Sequence, residues 1–198
     1  MKKWSVLLLA VLFLMCCFTG CGSGEEPVGE QQEQQKEAGV QWMPYGLTFG
    51  MTYDEAKAKN SEMPEIAPAK ANDGYFSEAQ WVAPEFATDY FCVAEEDADT
   101  WSLVTTQFHY SFNQSKELYE FYVMVLPETE GRAETVYNDL GRYYSELIGT
   151  PSETAEREDA LKAVWKKDGI SIELMLDATD SSPLVYAILH DENHDLDS

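Results

Sequence analysis

WSLVTTQFHYSFNQSKELYEFYVMVL, residues 101–126, decides the fold. From Trp101 to Phe112 the chain alternates, with Val104, Thr106, Phe108, Tyr110 and Phe112 at every second position. That is the period of a strand with one buried face. Asn113 to Lys116 is a polar turn, and Leu118 to Leu126 is rich in aromatic and β-branched residues. The two runs predict a β-hairpin, which Pro127 ends.

Toward the C-terminus the period changes. Ala133, Tyr137, Leu140, Tyr144 and Ile148 recur at helical spacing, and Gly149 with Pro151 stops that helix. Leu161–Lys167 and Ile170–Asp177 flank Asp168-Gly169, a strong hairpin turn signal. A last strand covers Leu184–Leu189. Toward the N-terminus, Thr52 caps a helix and Glu55, three residues on, completes a capping-box pattern. That helix runs to about Asn60. Pro64 and Pro68 then impose an irregular stretch. Two further strands are expected at Gly74–Val82 and Phe86–Ala94. The expected fold is α+β, an antiparallel β-sheet of about six or seven strands packed against two helices. It occupies residues 42–190 as a single domain, and residues 191–198 form an acidic tail.

Residues 1–41 have another character. Lys2 and Lys3 precede a nearly unbroken apolar stretch from Trp4 to Met15, the charged and hydrophobic regions of a signal peptide. The stretch is short of the roughly 20 apolar residues that a spanning helix needs. Phe18-Thr19-Gly20-Cys21 follows and resembles the lipobox of bacterial lipoproteins, with Phe18 where leucine is commonest. The resemblance implies removal of residues 1–20 as a signal peptide and a diacylglycerol on Cys21. It places the chain at a cell membrane, lipid-anchored and facing the extracytoplasmic side. An ordinary secretory signal, leaving a soluble protein, is the alternative. Residues 21–41, rich in Gly, Glu and Gln, read as a disordered tether. A flexible coil of about 20 residues would hold the domain on the order of 25 Å from the lipid.

Composition narrows the function. The chain has 13 basic and 36 acidic residues, a formal net charge of −23, and offers few cations to displace phosphate counterions. Nucleic acid is therefore not an expected partner. A charge of this sign keeps an exported domain soluble, and a cationic peptide or a metal ion is the sharper alternative. Of the four cysteines, Cys16 and Cys17 lie in the signal and Cys21 would be alkylated. Cys92 is left without a partner in the chain, so no disulfide framework is expected. Its apolar run, Tyr90-Phe91-Cys92-Val93, suggests a buried small hydrophobe on a strand.

A second resemblance is carried by Phe49-Gly50-Met51-Thr52-Tyr53-Asp54-Glu55-Ala56. It is similar to the helix start of the small lipoproteins of the outer-membrane barrel-assembly machinery and of the β-lactamase inhibitory proteins. Gly149-Thr150-Pro151, followed by a strand bearing Trp165, is similar in kind. This implies a helix followed by an antiparallel sheet, and no binding residue is carried over.

The motifs of phosphate-binding loops, dinucleotide folds, nucleophile elbows, zinc helices and redox cysteine pairs are missing from the sequence. His109 is a candidate general base but has no identified nucleophile. His190 and His194, among Asp191, Glu192, Asp195 and Asp197, make a loose metal-binding pattern that reads as a frayed terminus. Glu95, Glu96, Asp97 and Asp99 read as a solvated loop between strands, because the glycine and distal glutamate of a calcium loop are missing. No cofactor or resident metal is called for. Asn113-Gln114-Ser115 fits a glycosylation sequon but reads as turn chemistry.

The N-terminal half is dense in aromatics, mostly expected in the core. Trp42, Tyr45, Tyr75 and Trp81 are the candidate ligand-binding aromatics, forming a stacking platform if they emerge together. The reading is an extracytoplasmic binding module for a protein, peptide or envelope glycan, more binder than enzyme. The alternative is an extracytoplasmic hydrolase using carboxylates and His109. A two-lobed transport receptor is disfavoured by size. Two acyl chains, at about 0.8 kcal/mol per buried methylene, hold a protein at a bilayer. Cys21→Ala should therefore move the protein from the membrane fraction to the medium on fractionation; a variant that stays membrane-bound refutes lipidation at Cys21.

Overall fold

Residues 41–69, 74–157, 159–178 and 182–193 are described by a computed structural model. The signal segment, Cys21, the tether up to residue 40 and the tail from His194 onward lie outside the described residues.

The hairpin of residues 101–126 is the centre of the sheet. β4 (Thr105–Phe112) and β5 (Leu118–Leu126) pair antiparallel, with Phe108 opposite Val123 and Tyr110 opposite Phe121. Phe108, Tyr110 and Phe112 are fully buried, as their alternation required. The run is shorter than expected at its start. Ala98–Trp101 forms a helical turn, α3, and only from Thr105 is the backbone a strand.

The other strands are β1 (Ile66–Pro68), β2 (Tyr75–Ser77), β3 (Gln80–Val82), β6 (Glu153–Arg157), β7 (Ala160–Lys167), β8 (Ile170–Asp177) and β9 (Leu184–Asp191). They make one nine-stranded antiparallel sheet in the order β1-β2-β4-β5-β9-β8-β7-β6. β2 and β3 pair with the same strand, β2 at the end of β4 near Phe112 and β3 near Thr106–Phe108. The fold class is thus α+β, with more strands than the expected six or seven. The surplus has plain causes. Gly74–Val82 is two short strands, and β1 sits at the sheet edge, where Pro68 has no ladder bond to lose. β6, whose five residues are all exposed, has no buried face to impose an apolar alternation.

The helices also number more than two. α1 (Tyr53–Lys59) has the expected capping box, with the Thr52 hydroxyl accepting from the Glu55 N–H and the Glu55 carboxylate accepting from the Thr52 N–H. α4 (Glu130–Ile148) buries Ala133, Val136, Leu140, Tyr143 and Tyr144. α2 (Pro84–Tyr90) is the correction: Phe86–Ala94 was expected as a strand. Pro84 stands in the first turn, where its missing N–H costs nothing. Phe86 and Tyr90 then stack one helical turn apart, with centroids 6.1 Å apart. Cys92 leaves its expected strand as well. It is a half-buried free thiol at φ 50, directly after α2. The N–H of Cys92 reaches Asp89 O and that of Val93 reaches Thr88 O, the paired bonds of a Schellman stop. The acidic residues Glu95–Asp97 form a 3-10 turn between α2 and α3, not a loop between strands. Asp191, assigned to the tail, is buried at the end of β9 opposite Ile170.

The buried apolar side chains form one cluster between the sheet and the helices. The β7–β8 turn has Asp168 at φ 53 and Gly169 at φ 81, the doubly positive pair of a type I′ turn. Two tryptophans fix the helical layer. Trp165 on β7 donates to Gly149 O at the end of α4, at 3.0 Å. Trp101 on α3 donates to the Asp139 carboxylate at 2.9 Å, and Arg142 holds the other oxygen at 2.8 Å. Asp139 is only 4% exposed, so the two donors replace the water it has lost. Trp101→Phe keeps most of the ring burial and deletes one donor. It should lower unfolding free energy by about 1–3 kcal/mol in chemical denaturation; an unchanged midpoint would show that the indole N–H contributes nothing.

Candidate functional site

One groove, of about 300 Å³, combines ring walls with polar groups. It is lined by Tyr45, Lys59, Asn60, Ser61, Glu62, Trp81, Val82, Ala83 and Phe86. Four pieces of chain converge there. A 3-10 turn, Pro44–Gly46, supplies Tyr45; the end of α1 supplies Lys59 to Glu62; β3 supplies Trp81 and Val82; and the start of α2 supplies Phe86.

Each ring has a reason for its place. Tyr45 occupies the left-handed region, φ 60 and ψ 16, inside a turn closed by the Leu47 N–H on Pro44 O. This backbone state is costly for a tyrosine. The ring is held by stacking on Phe86, with centroids 5.0 Å apart and planes 10° from parallel. Gly46 follows at φ 68, and Lys59 Nζ lies 3.5 Å from where a Cβ on it would stand. Trp81 is set by register. It pairs with Gln107, while Gln80 and Val82 on either side are buried, so the indole projects away from the core and stays 67% exposed.

Asn60, in the lining, belongs to a closed polar network. The buried Gln80 Oε1 accepts from Tyr110 Oη at 2.7 Å and from Asn60 Nδ2 at 2.8 Å. The Tyr45 phenol lies close to Gln80. Asn60 Oδ1 accepts the Glu62 N–H at 3.2 Å, fixing the chain as it leaves α1. Burial, then the Glu62 charge, pushes the Tyr45 phenol above its ordinary range, so it stays a neutral donor. Burial pushes the Tyr110 phenol upward too.

Of the four candidate aromatics, Tyr45 and Trp81 are among the groove's lining residues, with the Trp81 indole turned to the sheet face of Gln107 and His109. Trp42 is half-buried against the core, and its carbonyl accepts from Tyr90 Oη at 3.5 Å. Tyr75 packs against the core under the Lys116 ammonium, 5.3 Å from its ring centroid. Phe76, next to it, is 47% exposed. Phe86, Asn60 and Gln80 were not foreseen. Pro84 was the available signal for Phe86, because a helix starting there turns Phe86 and Tyr90 to one side.

His109 is elsewhere. It is half-buried on the sheet face opposite Phe108 and Tyr110, near Gln107 Oε1 at 3.3 Å and the Tyr122 ring. Burial lowers its pKa below the ordinary histidine value, so it is neutral at neutral pH. His190 faces Glu120 at 3.7 Å and the Tyr119 ring, and His194 lies outside the described residues. Among the described residues no three His, Cys, Asp or Glu side chains converge on a common point. No described helix is long and apolar enough to cross a membrane.

No family model, curated protein or solved structure matches the chain.

Tyr110→Phe removes the shortest bond of the network and leaves the Gln80 carbonyl one donor short. It should cost about 1–2 kcal/mol of stability in urea denaturation. Gln80→Leu, which leaves the Tyr110 hydroxyl without its acceptor and the Asn60 amide with one partner fewer, should cost more; the reverse ranking would show that Gln80 is not the centre of the network.

Proposed function

We propose that the chain is a binding module, held at the extracytoplasmic side of a membrane by a lipid on Cys21, and that the Tyr45–Trp81 groove takes its partner. The address rests on the likeness of residues 18–21 to a lipobox. The partner is a protein, peptide or envelope glycan. The strongly negative chain disfavours nucleic acid.

One observation carries the reading. Trp81, one of the residues lining the groove, keeps an indole 67% exposed, and Asn60 in the same lining belongs to a closed, buried amide–phenol network. A large exposed ring is a solubility liability, and a buried polar network must be fully satisfied to be tolerated. Apolar walls over a few fixed polar groups are the make-up of a ligand site.

The hydrolase reading has less support. The groove's lining includes one carboxylate, Glu62, whereas paired-carboxylate hydrolysis needs two. His109 is not part of the lining, so the candidate base and the groove are separate features.

Trp81 is mostly solvated, so its replacement should leave the fold intact. Any member of a mixed panel of short peptides and neutral oligosaccharides that binds the full chain should bind Trp81→Ala at least about tenfold more weakly, roughly 1.4 kcal/mol, by isothermal titration. Equal affinities for the two proteins would put the working surface elsewhere and overturn the proposal.

A further inference from the structure

We infer that β6 pairs edge to edge with the β6 of a second copy, joining the two sheets into one. The inference makes no use of the groove. β6 (Glu153–Arg157) ends the sheet and pairs with β7 alone, and its five residues are all exposed. Its outer row of backbone N–H and C=O groups is therefore open to another strand. At the other end of the sheet, β1 and β3 are three residues each, and β1 closes on Pro68, which has no N–H to offer. Of the free edges, β6 is the one with the length to extend the sheet.

The charges of β6 select what can pair with it. Like charges directly opposite one another destabilise a ladder, so an unmatched acidic strand is turned away. Glu153-Thr154-Ala155-Glu156-Arg157 matches itself in one antiparallel register. With Ala155 opposite the Ala155 of the second copy, Glu153 stands opposite Arg157 and Thr154 opposite Glu156. The two-fold axis repeats both pairs, as in any isologous contact. Glu153, Ala155 and Arg157 leave the strand on one face, so the two ion pairs flank the small methyl groups at the axis. On the other face the Thr154 hydroxyl can donate to the Glu156 carboxylate. This register uses all five residues. A shift by two residues in either direction leaves three pairs and no Glu–Arg match, and a parallel in-register pairing sets every charge against its like.

Arg157 is the independent observation. The chain has three arginines among 36 acidic residues. Arg132 holds Glu128 and Arg142 holds Asp139. Arg157 forms no salt bridge among the described residues. A guanidinium is a planar fork that fits a carboxylate with two parallel bonds, and a second β6 brings Glu153 to it. The seam is short, below the size of a standard stable interface, so the pairing is a weak one that grows with the local density of copies.

Disulfide trapping in the full chain, in detergent solution and on a Cys92→Ser background, tests the pairing. Ala155→Cys should give a linked dimer under copper–phenanthroline oxidation, because directly opposed residues have Cα atoms about 4.5–5.5 Å apart, within disulfide reach. Ala67→Cys, exposed on β1 at the opposite edge, should stay at the level of the Cys92→Ser parent. Arg157→Glu, added to Ala155→Cys, turns both ion pairs into Glu–Glu contacts and should slow dimer formation about tenfold. Adding Glu153→Arg as well exchanges the two charges and should restore the rate. Circular dichroism should be unchanged throughout, since every substituted strand position is exposed. Equal trapping of Ala155→Cys and Ala67→Cys overturns the pairing. If Ala155→Cys is trapped but Arg157→Glu has no effect, or the charge exchange does not restore the rate, β6 does not recognise itself and the inference is overturned too.

Discussion

The ladder between β5 and β9 is the constraint on which the rest of the structure depends. It pairs Phe121 with Leu189 and Val123 with Ala187 across more than sixty residues of sequence. Closing so long a loop is entropically costly and must be offset by burial at the seam. The seam supplies it, since Phe121, Val123, Val125, Val185, Ala187 and Leu189 are all essentially inaccessible. Without this ladder the chain would be two hairpin systems, β4–β5 and β7–β8. With it, α4 has a continuous surface to cover, and Tyr144 meets Trp165 at 5.9 Å over β7. The Trp101–Asp139 bond then ties α3, next to β4, to that same helix.

The groove is a consequence of how the sheet ends on the other side. β4 is eight residues long, but its outer edge is shared by two three-residue strands. Between them the Tyr110 N–H has no backbone partner from either strand. Ser77 Oγ accepts it instead, at 3.0 Å. The chain therefore crosses from β2 to β3 without breaking the hydrogen bonding of β4, and Gln80 can turn its amide inward beside Tyr110. An unbroken outer strand would put an apolar residue there. The interruption provides room for Asn60, and the end of α1 fills it.

Elements with many residues of one period were legible from sequence. β4, β5, the β7–β8 hairpin and α4 each repeat their pattern enough times to outweigh a single deviant residue, and α1 is marked by its Thr52–Glu55 cap. α2 was misread because seven residues contain scarcely two helical turns, and Phe86, Tyr90 and Phe91 suit a strand as well as a helix face. β6 was missed for the opposite reason: its exposed charges protect a sheet edge and carry no apolar period. The groove was half legible. Exposed aromatics can be nominated from composition, and Tyr45 and Trp81 were. The polar network behind Asn60 cannot, since Asn60, Gln80 and Tyr110 lie 20 to 50 residues apart and meet only through tertiary structure.

That network bears on why the groove is built as it is. An apolar triad of similar volume would avoid the desolvation cost of two amides and a phenol, and such replacements are often neutral or stabilising. What an apolar triad would not provide is a fixed direction. Asn60 Oδ1 holds the Glu62 N–H, so one lining residue is oriented by a bond whose length and angle are narrow. Tyr45 is in a left-handed backbone state that its own chemistry disfavours, and stacking on Phe86 offsets that cost. A stability argument alone would select glycine at position 45 and apolar side chains at positions 60, 80 and 110 together. A strained tyrosine beside a buried glutamine is what the proposed recognition role would require, because it fixes the position of a ring.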